Sequence, residues 1–132
     1  MSKLTPLESA VIKKLLDGKD DVLAVLRQQL EYAEVTQREV TGVGFYSTLA
    51  VPDSVGRAPR SLTVKFGDVH ADMVHLRDGA GFLLYLRDGC LDLLEGYTYN
   101  EPWPQEITRF ELRYDRGEAR DLHRLRTLLH SF

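Results

Sequence analysis

Phe82-Leu83-Leu84-Tyr85-Leu86-Arg87-Asp88-Gly89-Cys90-Leu91-Asp92-Leu93-Leu94-Glu95 is the stretch on which the fold of this chain turns. Two apolar runs flank Asp88-Gly89, a pair suited to a type I′ turn because both central positions need positive φ. Counting outward from that turn predicts Leu86 opposite Leu91, Leu84 opposite Leu93 and Phe82 opposite Glu95 on one face. Tyr85 with Asp92 and Leu83 with Leu94 fall on the other. The face bearing Leu84, Leu86, Leu91 and Leu93 is expected to meet the helices. Leucines on both sides mark the hairpin as central and partly covered twice.

Upstream, Leu62, Val64 and Phe66 alternate, and so do Val69, Ala71 and Met73, with opposite parity. A two-residue turn at Gly67-Asp68 reconciles them by pairing Phe66 with Val69, Val64 with Ala71 and Leu62 with Met73. Lys65 then faces His70, and Thr63 faces Asp72. Gly44 to Val51 reads as a strand stopped by Pro52, which cannot donate to a ladder. The stretch Asp53 to Arg60 reads as a surface loop, and Phe110 to Tyr114 as a last alternating strand.

The first third is helical. Thr5-Pro6-Leu7-Glu8 combines a capping hydroxyl, proline at the first helical position and a glutamate that closes the box. Leu7, Val11 and Leu15 form an apolar stripe, and Leu23, Leu26, Leu30 and Ala33 form another after Asp20-Asp21. The pattern predicts one α+β domain over 1–132. Its N-terminal helical hairpin (about 6–17 and 21–34) packs on an antiparallel β-meander of five or six strands (about 35–114), closed by a C-terminal helix (about 118–130).

Composition narrows the function. The 132 residues suffice for one core, and 20 acidic against 17 basic side chains give a net charge of −3. Nonspecific affinity for nucleic acid or an anionic membrane is disfavoured. Cys90 is the single cysteine, which leaves no internal disulfide and no cysteine-based zinc site. Met1 to Pro6 shows no apolar signal stretch, and no run approaches the ~20 residues of a membrane helix. A cytoplasmic location is expected.

Gly42-Val43-Gly44-Phe45 and Gly79-Ala80-Gly81-Phe82 invite comparison with phosphate loops. They lack a third glycine and a Gly-Lys-Ser/Thr ending, and they lead into strands. Bulges, turns or close backbone approach account for these glycines better. Together with Leu94-Glu95-Gly96-Tyr97-Thr98-Tyr99 and Glu101-Pro102-Trp103-Pro104, they make the chain resemble a family of small uncharacterised bacterial proteins. The resemblance covers roughly residues 5–114. It implies a bacterial origin and one compact domain, and it implies no activity.

Glu95 is the most informative residue. At the end of an apolar row its carboxylate must find a donor or rise in pKa. Tyr97 and Tyr99 share its parity, Trp103 follows between prolines, and Cys90 to Glu106 holds four acids and no Lys or Arg. Glu95, Tyr97, Tyr99 and Trp103 therefore form the candidate binding set, with capping of the sheet's end as the structural alternative. His70 and Asp72 are secondary candidates: two apart on a strand they share a face, yet they supply only two of the ligands a metal needs. No metal and no other cofactor is expected. Cys90 reads as a bystander thiol. Arg116, Arg120, Arg124, His123 and His130 gather on one side of the last helix, diluted by Glu118 and Asp121.

Three functions are ranked. A non-catalytic protein-interaction module comes first, with a homodimer as one form. A small-ligand binder or enzyme with a pocket lined by Glu95 and the tyrosines is second. A nucleic-acid binder through the C-terminal arginines is third.

Overall fold

Residues 2–117 and 119–131 are described by the computed structural model. The capping box forms as read: the Thr5 hydroxyl accepts from Glu8 N–H and the Glu8 carboxylate accepts from Thr5 N–H, opening α1 (Pro6–Leu15). Asp20 accepts from the Val22 and Leu23 N–H groups and starts α2 (Asp21–Tyr32). The strands are β1 (Glu34–Thr41), β2 (Gly44–Ala50), β3 (Val64–Phe66), β4 (Val69–Met73), β5 (Ala80–Arg87), β6 (Cys90–Thr98) and β7 (Phe110–Tyr114). All pairs are antiparallel, in the order β1-β2-β6-β5-β4-β7, with β3 also on β5. The α+β class is as expected, although the neighbours β2 and β6 depart from a simple meander.

The Gly67-Asp68 hairpin does not form. β3 and β4 both pair with β5, one after the other, so they are two halves of a single bent strand and the seven segments fill six positions across the sheet. From Phe66 to His70 the chain takes four steps while its partners, Leu84 to Gly81, take three. One extra residue is a bulge, and a bulge reverses parity without reversing direction. This resolves the conflict that a turn was invoked to explain. Gly67 is required there, because a Cβ would lie 1.9 Å from the Phe82 carbonyl oxygen. Lys65 accordingly faces Tyr85, and His70 faces Gly81 and Arg113, not each other.

The Asp88-Gly89 turn does form, with φ of 52° and 75°, and Leu86 pairs with Leu91. Beyond that pair the register corrects the expectation. One step on β5, to Tyr85, corresponds to two on β6, to Leu93, so Asp92 is bulged. Leu84 pairs with Leu94 and Leu83 with Glu95. Leu94 replaces Leu93 in the core row, and Glu95 turns to the opposite face.

The inner face carries Phe45, Leu49, Ala71, Phe82, Leu84, Leu86, Leu91 and Leu94, all buried. α1 packs on β4, β5 and β7, and α2 on β6. Gln29 on α2 is fully buried and satisfied: its amide donates to the carbonyls of Gly56 and Gly89, and its oxygen accepts from Leu91 N–H. It clamps the hairpin turn to the helix.

α3 (Leu122–Leu129) is shorter than the expected 118–130, because Asp121 caps it by accepting from Arg124 N–H. Glu118 lies outside the described residues. Arg120 donates to both oxygens of Asp68 and to the carbonyls of Leu15 and Asp17, tying the C-terminal segment to the bulge and to the end of α1. Among the described residues no helix is long and apolar enough to cross a membrane.

Candidate functional site

The strands alternate, so every buried leucine on the inner face has an outward neighbour. On the outer face Tyr46, Leu83, Tyr85, Leu93, Glu95 and Tyr97 are half-buried or exposed. Register brings them together: Glu95 pairs with Tyr46 on β2 and with Leu83 on β5, and Tyr85 pairs with Leu93.

Glu95 finds its donor. Tyr85 Oη donates to Glu95 Oε1 at 2.9 Å. Burial first and then Glu95 push the Tyr85 phenol up, while Tyr46 is raised chiefly by the charge of Glu95. Both phenols therefore stay protonated at neutral pH, and the Tyr85 hydroxyl is the one that donates to Glu95. The Lys65 ammonium lies 5.7 Å from the centre of the Tyr85 ring, so one cation of the chain already sits over an aromatic face here. Beside Tyr46 and Leu93 a hollow of about 340 Å³ opens, with Gln37, Glu39 and Thr48 as its other walls.

Farther along the same face Tyr97 lies over Gly81, where a Cβ would come within 2.6 Å of its ring. Only glycine admits this ring so close to the sheet. Burial, then the adjacent Tyr99, pushes Tyr97 up to about 12. Tyr99 meets Tyr97 edge-on at 5.7 Å and stacks on His70 at 6.2 Å. His70 and Asp72 share this face as predicted, 3.4 Å apart, and Arg113 also holds Asp72 at 3.3 Å. Among the described residues no group of three or more His, Cys, Asp or Glu is placed to hold a metal.

Trp103 is separated from the other three candidates. Its ring packs edge-on against Phe45 at 5.1 Å, on the helix side of the sheet, and its backbone N–H donates to the Gly42 carbonyl. Glu101 fixes the same loop by accepting from the Arg77 and Asp78 N–H groups. Among the described residues, Glu95, Tyr97 and Tyr99 line neither the cleft between Leu83 and α3 nor the cleft beside Trp103.

Sequence reasoning missed Tyr46 and Tyr85 as neighbours of Glu95: the Asp92 bulge turns Glu95 to the face of Tyr85, and the β2–β6 pairing sets it opposite Tyr46. Glu8 was legible only as a cap. It is 2% exposed and also accepts from Arg38 and Ser47. Of the expected basic helix face, Arg120 is spent on Asp68, and His130 lies 2.6 Å from Asp20. Cys90 is buried, which pushes its thiol up. Comparison of the chain with protein-family models, with curated proteins and with solved structures finds no match.

Proposed function

We propose that the chain is a non-catalytic protein-interaction module whose open sheet face receives a basic, extended segment of a partner protein. The observation that carries this reading is the Tyr46-Glu95-Tyr85 group beside Leu93, on a face against which α1 and α2 do not pack and which α3 borders at Leu83. An arginine or lysine suits it on both counts. Its aliphatic stem covers the leucines, and its charged head meets a carboxylate flanked by aromatic rings. The stretch from Cys90 to Glu106, without Lys or Arg, adds a favourable field. Tyrosine offers contact area at small entropic cost, as interaction surfaces require.

The test uses fluorescein-labelled Arg/Leu and Glu/Leu peptides and the charge reversal Glu95→Lys. Saturable binding of the basic peptide alone, lost in Glu95→Lys while its melting temperature moves by only a few degrees, is the expected result. Equal binding of the basic peptide by both proteins, or no binding by the wild type, overturns the reading.

A further inference from the structure

A second surface lies on the helix side of the sheet, apart from the open face. There α1, β1 and the loop after β6 enclose a cleft of about 550 Å³, walled by Leu7, Val40, Phe45, Trp103, Ile107 and Phe110. Its polar equipment is asymmetric. Glu8 and Arg38 both line it and form a two-pronged pair, Arg38 Nε to Oε2 at 3.0 Å and Nη2 to Oε1 at 2.7 Å. The Glu8 carboxylate accepts in addition from Thr5 N–H and the Ser47 hydroxyl, so its four bonds leave no ready acceptor. A guanidinium has five N–H groups, and Arg38 uses two of them among the described residues. Its side chain is 31% exposed. The cleft therefore presents apolar walls and unspent donors of a fixed cation.

We propose that this cleft binds a small apolar monocarboxylate, with the carboxylate accepting from Arg38 and the hydrocarbon or ring lying against Trp103 and Phe110. Three features of the site select that chemistry. The unspent guanidinium donors of Arg38, the one cationic group lining the cleft among the described residues, select an acceptor group, and a charge-assisted bond to guanidinium favours carboxylate over a hydroxyl. The walls are apolar and aromatic, which suits a hydrocarbon body. Glu8 holds the guanidinium in place before any ligand arrives, so little ordering cost remains.

Trp103 is the only tryptophan of the chain, so its emission reports on this cleft alone. The experiment titrates the full chain with decanoate, decanol and decyltrimethylammonium, each below its micellar concentration, and follows that emission. The expected result is saturable binding with decanoate preferred over decanol by about tenfold or more, as one charge-assisted hydrogen bond would give. Arg38→Lys keeps a cation for Glu8 but loses the planar fork, and it should lose the preference. Val40→Glu, at a position already 67% exposed, keeps the fold and sets a negative charge beside the incoming carboxylate, weakening decanoate severalfold or more. Equal affinity for decanoate and decanol, an unmoved Trp103 emission, or undiminished decanoate binding by Val40→Glu overturns the proposal. Glu95→Lys, on the other face, leaves decanoate binding intact, so failure here and failure of the peptide-binding reading are separate results.

Discussion

The two faces of the sheet are made by the same strands, with leucine next to leucine, yet they carry opposite kinds of order. On the inner face Leu84 and Leu94 are wholly buried, and the polar groups between helices and sheet, Glu8 of α1, Gln29 of α2 and Ser47 of β2, are all hydrogen-bonded to named partners. On the outer face Leu83 and Leu93 are half-buried, Leu83 along a cleft it shares with Leu125 and Leu128 of α3, and Glu95 accepts from the Tyr85 phenol. Apolar area removed from water stabilises the fold, while area left half in water contributes less and stays available to a partner. The contrast separates residues retained for folding from those free to serve recognition.

The sharpest break of this comparison sets sequence neighbours against each other. Leu84→Ala and Leu94→Ala should each cost about 2–5 kcal/mol, by lost transfer energy and the cavity left behind. Leu83→Ala and Leu93→Ala, half-buried, should cost about 1 kcal/mol. Urea denaturation of the four variants measures both. If the outer pair proves the costlier, the assignment of faces is inverted.

Trp103 and Tyr99 sharpen it at intermediate size. Trp103→Ala removes the edge-on contact with Phe45 and should cost about 2 kcal/mol, somewhat less than a fully buried aromatic. Tyr99, 42% exposed, should tolerate alanine at a cost of about 1 kcal/mol or less. Thermal melts followed by circular dichroism distinguish the two. Similar large losses would give Tyr99 the same capping role as Trp103.

Acid is the gentlest probe. Burial acts to raise Glu8, but donors from Arg38, Ser47 and Thr5 N–H outweigh it and hold the carboxyl below its ordinary 4.5. Asp20 is likewise raised by burial and lowered more by His130 and the N–H groups of Leu23 and Val22, to below 3.8. Each group binds fewer protons folded than unfolded, so the stability it contributes is complete above its ordinary value and is lost as pH falls through the folded one. The urea midpoint should therefore hold steady from pH 7 to about pH 5 and decline below it, with a shallower decline in Glu8→Gln. A flat profile down to pH 3 would show that neither carboxylate contributes.

Much of the fold was legible because local chemistry decides it. Thr5, Pro6 and Glu8 complete a cap among themselves, and Asp88-Gly89 can turn the chain with no help from elsewhere. The candidate site was legible only in part. Glu95, Tyr97 and Tyr99 share one face as their common parity implied, though it is the face opposite to the one counted from the turn. Trp103 leaves them because two prolines and a hydrogen bond to Gly42 carry it around to Phe45. The His70-Asp72 pair sits on one face as its spacing required, but its neighbour is Arg113, 41 residues beyond Asp72, which no local count can supply.

Alone, the amino-acid order determined the α+β class, both helix starts, the central hairpin turn and the impossibility of an internal disulfide. Tertiary structure decided which leucines are core and which residues surround Glu95. The reason is the period of two: a single bulged residue, at Gly67-Asp68 or at Asp92, exchanges the faces of everything beyond it. Whether a strand bulges depends on the partner it must match. Gly67 lies against the Phe82 carbonyl, and Leu94 enters the core where Leu93 was expected, because burial of the whole row, not the count from one turn, sets the register.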